Sequence, residues 1–232
     1  MRLHRFFIRE QIQGKNTLVV TNVETLHQWK KVFRLGAGDT VVLFDGFGRE
    51  YACEITLLSK ERAELLIKES CRVHTFSREI WLCAAIIKKD NFEWIVEKAT
   101  ELGVSNIVPI LADRSEKKDL NSTRLLKIAT EASEQSGRGS VPYIYEAQSL
   151  FDATTLLSGV GKIVFEPVGV ALVPTDFLDK RPVALFVGPE GGWTDEELTF
   201  FGHEQIEKKT LGDQILRAET AAIAVTTLFT LR

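Results

Sequence analysis

The chain has 232 residues, 44% of them hydrophobic, enough for one large domain or two modest ones with ample core. Its formal net charge of −3 excludes a uniformly basic nucleic-acid coat. No apolar run reaches spanning length, and no signal-peptide core follows Met1-Arg2-Leu3-His4-Arg5, so a soluble cytoplasmic protein is expected. Cys53, Cys71 and Cys83 are odd in number and lack CxxC spacing. Neither a disulfide framework nor a zinc site is supported, and buried free thiols are expected.

Charge is unevenly distributed. Residues 1–75 carry twelve Lys/Arg against nine Asp/Glu, and residues 76–232 carry seventeen against twenty-three. The slight N-terminal excess points to an anion-binding module there. In that region Arg2, His4, Arg5 and Arg9 surround the apolar Phe6-Phe7-Ile8, and Thr17–Val20 reads as a second short strand. Asn22 is placed to cap a helix over Val23–Arg34 with Val23, Leu26, Val32 and Phe33 on its apolar side, ended by Gly36 and Gly38. Thr40–Phe44 and Glu50–Leu58 flank the hairpin signal Asp45-Gly46-Phe47-Gly48, and Arg62–Lys68 is a further strand. Short strands with one small helix predict a compact barrel of about 70 residues.

Around Arg72–Ser77 short strands give way to alternating strands and helices, so the expected domains are 1–72 and 73–232. Ile80–Ile87 is a strand. Asn91–Leu102 is a helix with Phe92, Ile95, Val96, Ala99 and Leu102 on one face and Gly103 as its C-cap. Asn106–Leu111 is a strand, and Asn121–Gln135 is a helix ending in Ser136-Gly137-Arg138-Gly139. Pro142–Tyr145 and Lys162–Phe165 are strands on either side of a short helix near Leu150–Leu156. The pattern ends with strand Val183–Val187, helix Thr194–Phe201, strand Lys208–Leu211 and helix Leu216–Leu231. Such alternation predicts an α/β fold, a parallel sheet with helices on both faces.

Two strand–glycine–helix junctions stand out, Val187-Gly188-Pro189-Glu190-Gly191-Gly192 and Leu211-Gly212-Asp213-Gln214-Ile215-Leu216-Arg217. Each is read either as a tight turn or as a backbone cradle at the C-terminal ends of parallel strands, where such sheets bind small molecules. Thr194 and Glu197 have capping-box spacing, so a helix should start near Asp195. Arg217 sits at a helix start, which the helix dipole does not favour for a cation, so it needs another reason to be there. Lys88 and Lys89, at the same sheet end, are either solvated or placed to hold phosphate. Arg138 lies between glycines and by default is a solvated loop residue. There is no dinucleotide fingerprint, phosphate-loop lysine or nucleophile elbow, and His4, His27, His74 and His203 have no metal-ligand spacing.

Taken together in order and spacing, ten segments resemble the RsmE family of bacterial ribosomal RNA methyltransferases, in the SPOUT class. They are Arg2–Phe7, Gly38-Asp39, Asp45-Gly46, Glu97–Val104, Arg114-Ser115, Glu134–Arg138, Gly188–Gly192, Leu211-Gly212, Ile215–Arg217 and Glu219–Ala221. The resemblance implies an N-terminal PUA-like RNA-binding barrel and a C-terminal domain with a trefoil knot. It further implies a homodimer that uses S-adenosylmethionine to methylate N3 of a uridine in 16S rRNA of the small ribosomal subunit. On that reading Gly188, Pro189, Glu190, Gly191, Gly192, Leu211, Gly212, Ile215 and Leu216 hold the cofactor, with Phe165 and Leu185 as walls. Arg217 and Arg138, the latter from a partner subunit, would steady negative charge on the base. Glu219 would accept a proton or orient Arg217. Arg2, Arg5, Arg9, Arg34, Lys88, Lys89 and Arg114 would meet RNA.

The chain departs from the family at Gly212-Asp213-Gln214, where Gly-Pro-Arg is common, and at Lys88-Lys89-Asp90-Asn91, where Lys-Gly-Asp-Lys is common. Both departures bear on RNA docking more than on donor binding. Two other classes stay open on sequence alone, a non-catalytic rRNA-binding assembly factor and a nucleotide-cofactor oxidoreductase.

Overall fold

A computed structural model describes residues 3–73, 78–115, 120–173 and 175–230. By its internal contacts the chain divides into two compact units, residues 1–75 with 133–140 and residues 76–132 with 141–232.

The first unit contains β1 (Arg5–Phe7), β2 (Thr17–Val20), α1 (Val23–His27), β3 (Thr40–Phe44), β4 (Arg49–Leu58) and β5 (Ala63–Arg72). The strands form one sheet in the order β1-β3-β4-β5-β2, parallel between β1 and β3 and antiparallel elsewhere. Two register shifts between β4 and β5 bend these long strands and curl the sheet around Phe6, Trp29, Leu43, Tyr51, Ile55 and Leu65. Asn22 Oδ1 accepts from Thr25 N at 2.9 Å, the expected cap.

The rest of that helix differs from expectation. After His27 the chain widens into a π-helical turn, Gln28–Val32, which shifts the helical phase of the residues within and beyond it. Val32 is therefore 65% exposed, while Leu26 and Trp29 face the core; Val23, in the first turn before it, is also exposed, at 74%. Arg34, with φ of 56°, ends the turn before either glycine. Cys71 corrects another expectation. It is exposed, because β5 loses its cover beyond Ile67, whereas Cys53 and Cys83 are buried.

The second unit is built from β6 (Ile80–Ala85), α2 (Lys89–Leu102), β7 (Asn106–Ile110), α3 (Ser122–Ser136), β8 (Tyr143–Ile144), α4 (Leu150–Leu156), β9 (Gly161–Ala171), α5 (Thr175–Leu178), β10 (Val183–Val187), α6 (Asp195–His203), β11 (Glu207–Thr210) and α7 (Ala218–Thr230). The last turn of α3 counts with the first unit. Six strands pair in parallel in the order β11-β9-β10-β6-β7-β8.

Alternate residues of β10 enter two cores. Val183, Leu185 and Val187 join Phe92, Ile95, Val96 and Ala99 of α2 and Ala222, Val225 and Phe229 of α7. Ala184 and Phe186 join Ala153 of α4 and Phe201 of α6. A strand apolar on both faces is what burial between two helical layers requires. Gly103, with φ of 102°, ends α2 as a left-handed cap. Among the described residues no helix is long and apolar enough to cross a membrane.

The strand order positions the site. β10 lies between β9 and β6, and β11 then pairs on the far side of β9. Because all these strands are parallel, the loops after β10 and β11 leave the same end of the sheet on either side of β9. β9 itself runs six residues past its expected end at Phe165. Consecutive Lys208 and Lys209 of β11 pair with Val164 and Val170, so residues 165–169 bulge away from β11 at that end, although Phe165 still pairs with Val187 of β10.

Candidate active site

The first glycine loop is shaped by the packing beneath it. The Trp193 indole folds back under Gly188, so a Cβ there would lie 3.0 Å from Trp193 Cε2. Trp193 Nε1 donates to Phe165 O at 3.2 Å, joining this loop to the bulge of β9. Gly192 N donates to Pro189 O at 2.9 Å and closes a turn over Glu190 and Gly191. Gly192 needs its φ of 69°, which a Cβ makes costly. Pro189 is buried, whereas Glu190 and Gly191 are exposed.

The start of α6 fixes the far end of this loop. Thr194 and Glu197 form the expected capping box, with Glu197 N donating to Thr194 Oγ1 at 3.2 Å and Thr194 N to Glu197 Oε2 at 2.7 Å. The other oxygen of this buried carboxylate accepts from Asp113 N at 2.9 Å, and Thr194 Oγ1 donates to Asp113 Oδ2 at 3.2 Å. Arg114 Nη1 donates to Gly191 O at 2.6 Å and lies 3.4 Å from Trp193 O. The turn after β7 thus grips the loop after β10.

The second loop is more open. Gly212, with φ of 127°, donates its N–H to the Thr210 side chain at 3.3 Å, and a Cβ on it would meet nothing within 4 Å. Leu211 is packed against the core, but Ile215 is 85% exposed and Leu216 also presents apolar surface. Ala221 N donates to Arg217 O at 2.8 Å, so Arg217 stands at the cap of α7, exposed, and the helix begins two residues later than expected. Glu219, in its first turn, is only 8% exposed, and its Oε2 has no hydrogen-bond partner among the described residues. A buried carboxylate oxygen left unsatisfied is costly and marks a place for a ligand or proton.

Other expected site residues fall in different surroundings. Phe165 is buried with its ring edge-on to Phe229, centroids 6.4 Å apart, and Leu185 is wholly inside the core. Lys88 caps α2 and is exposed, and Lys89 pairs with Glu93 at 3.9 Å. Arg9 and Arg34 are exposed in the first unit, and Arg2 lies outside the described residues. Arg5, expected at a phosphate, is engaged inside the first unit, paired with Glu50 and donating from Nη2 to Gly137 O at 3.1 Å. Arg138 is not a solvated loop residue. It is buried in the first unit, and burial pulls its guanidinium down to about 10, still charged at neutral pH. Phe7 N donates to Glu134 Oε1 at 2.9 Å, so the Glu134–Arg138 stretch is held by β1.

Sequence reasoning does not single out Asp113, Trp193 and Glu197 as organisers of the site. The available signals are the capping-box spacing, which marks Glu197 only as a helix start, and a tryptophan directly after Gly-Gly, since a large ring there must find cover nearby.

A parallel sheet covered on both faces, with two glycine loops at the C-terminal ends of its strands, is the architecture of an α/β enzyme binding a small cofactor, here joined to a small β module. Residues 74–230 match the family model described as an RNA methyltransferase domain, and residues 30–68 match one described as an RNA methyltransferase PUA domain. The chain belongs to this RNA methyltransferase family. The ribosomal RNA small subunit methyltransferase E of Rickettsia conorii is 29% identical, over 96% of this chain and 93% of its own. A methyltransferase from Legionella pneumophila, solved with S-adenosylmethionine bound, superposes with a TM-score of 0.89 at 26% identity, covering 99% of this chain and 97% of its own. The ribosomal RNA small subunit methyltransferase E of Neisseria gonorrhoeae, also bound to S-adenosylmethionine, gives 0.86 at 28% identity, over 97% and 95% of the two chains.

Proposed function

We propose that this protein transfers a methyl group from S-adenosylmethionine to N3 of a specific uridine in 16S rRNA of the small ribosomal subunit. The observation that carries the reading is the pair of glycine loops flanking β9 in a chain whose residues 74–230 match the RNA methyltransferase family. In this reading residues 1–72 are the RNA-binding barrel and residues 73–232 a knotted SPOUT domain. The protein acts in the cytoplasm as a homodimer.

The residues present suit the donor. Exposed Ile215 and Leu216 offer apolar surface to an adenine ring, and the open backbone about Gly212 offers polar groups to its edges. The carboxylates of Glu190 and Glu219 suit a ligand that carries positive charge. Gly188, Pro189, Glu190, Gly191, Gly192, Leu211, Gly212, Ile215 and Leu216 would hold it, with Phe165 behind them. When bound, S-adenosylmethionine supplies an electrophilic methyl group on a sulfonium.

The chain's own residues then have three tasks. The acceptor base must be held unpaired and aligned, and such positioning supplies much of the acceleration. Loss of the N3 proton spreads negative charge over the uracil oxygens, which a guanidinium stabilises best where water is scarce. Arg217, exposed beside the second loop, takes that role, together with an Arg138 supplied by a partner subunit. Glu219 accepts the proton, a role its unsatisfied buried oxygen supports. Arg9, Arg34, Lys88 and Lys89 add phosphate affinity.

The test is incubation with small ribosomal subunits lacking the modification, with and without the donor, followed by reverse transcription. A methyl on N3 blocks pairing, so a donor-dependent stop at one uridine is expected. Donor binding without any stop would refute the acceptor assignment. Subunit binding with no donor binding would instead favour a non-catalytic assembly factor.

A further inference from the structure

Arg114 follows β7, which is separated from β10 by β6, yet its side chain reaches the loop after β10. The guanidinium donates from a single nitrogen to Gly191 O at 2.6 Å and approaches Trp193 O at 3.4 Å. The stem above it covers Gly191 so closely that a Cβ on that glycine would lie 3.2 Å from Arg114 Cδ and 3.4 Å from its Cβ. Next to it, Asp113 binds both Thr194 and Glu197. The turn itself is braced, with Ser115 N donating to Ala112 O at 2.9 Å and Ala112 N to Ser115 Oγ at 3.1 Å. Two consecutive residues therefore hold both ends of the segment from Gly191 to Glu197. That segment carries the chain from the sheet into α6.

We propose that Arg114 is a positioning residue for the donor loop, a strap that holds Gly191 and Trp193 in their binding geometry, and that it is not a phosphate contact. The proposal rests on the methyltransferase reading for its ligand but on the loop geometry for its substance. A glycine-rich turn loses much conformational entropy when a ligand orders it, and a strap that orders it beforehand removes that cost from binding. Arginine suits the task because its long stem lies flat on a residue without a side chain and sets one guanidinium nitrogen against two carbonyls. A lysine keeps the charge and loses the planar guanidinium that places Nη1 against Gly191 O. The two roles for Arg114 therefore predict opposite behaviour of that variant.

The experiment compares wild-type protein with Arg114→Ala and Arg114→Lys in three measurements. These are the Kd for S-adenosylmethionine by calorimetry, amide hydrogen exchange over residues 188–197 without donor, and affinity for small ribosomal subunits at several salt concentrations. Loss of one charge-assisted hydrogen bond at a partly exposed site is expected to weaken donor binding about tenfold in both variants. Exchange at Gly192 and Thr194 should quicken, and subunit affinity should stay within about twofold. A Lys variant with normal donor affinity, or an Ala variant whose subunit binding falls with a shallower salt slope, returns Arg114 to the RNA and overturns the strap. Unchanged exchange over 188–197 overturns it whatever the protein binds. Failure of wild-type protein to bind S-adenosylmethionine would instead count against the methyltransferase reading, with the exchange measurement still deciding the strap.

Discussion

Gly188 and Trp193 depend on one another through shape, not flexibility. The indole occupies the space a side chain at Gly188 would need, and its N–H is spent on Phe165 O, so neither ring nor loop can shift alone. At the second loop the question is chemical. Arg217 is exposed and Glu219 is buried with one oxygen unsatisfied among the described residues, which fits the proposed roles of a cation meeting substrate and a carboxylate accepting a proton. Arg217→Ala is expected to lower single-turnover methylation by about a hundredfold or more, the scale of losing one charge-stabilising donor, with donor Kd changed less than about threefold. Glu219→Gln should lower the rate by a similar order while keeping the fold, because the amide fills the same volume. Equal single-turnover rates in Arg217→Ala and wild type would remove that residue from the chemistry.

At the scale of elements, α6 is more than cover for the sheet. Its capping-box glutamate is shared, with Glu197 accepting from Thr194 N within the helix start and from Asp113 N in the turn after β7. Glu197→Ala leaves two backbone donors short of a charged partner. A cap lost together with one further charged hydrogen bond costs about 2–4 kcal/mol, which for a chain of this size lowers Tm by roughly 5–10 °C. Calorimetric melting checks this, with Thr194→Ser as a control that keeps the hydroxyl. A melt within about 1 °C of wild type would mean that the shared carboxylate contributes nothing. The capping box was legible from Thr194 and Glu197 alone, because it depends on a three-residue spacing. The bond to Asp113 was not, since nothing local ties residue 113 to residue 197.

At the scale of the molecule, residues 133–140 belong to the same compact unit as the N-terminal barrel. Phe7 N holds Glu134 and Arg5 holds Gly137 O. Deleting residues 1–72 therefore removes the support of Arg138 as well as the barrel's cations. The truncated protein is expected to bind donor and fail to methylate, but that loss would not by itself locate the RNA contacts. Arg9→Ala combined with Arg34→Ala keeps those supports and isolates electrostatics. This double variant should weaken subunit binding and reduce the salt slope by about two, one for each phosphate contact. An unchanged slope in a salt titration would exclude both residues from the RNA surface.

Sequence alone determined the order of strands and of every helix but the short α5, the hairpin at Asp45–Gly48, the glycine cap of α2, the position of the two glycine loops and the family, because each rests on short-range spacing or residue type. It misjudged the helix after Asn22, where an inserted π turn moved Val32 to the surface, and the burial of Cys71 and Arg138. Only the tertiary structure decided which strand separates the two loops, how far β9 extends, that Arg5 and Arg114 spend their guanidinium groups on carbonyls of the protein, and that Glu219 is buried with one oxygen unpaired among the described residues. These depend on contacts between residues tens of positions apart, where strand order and packing, not local preference, choose each side chain's neighbours.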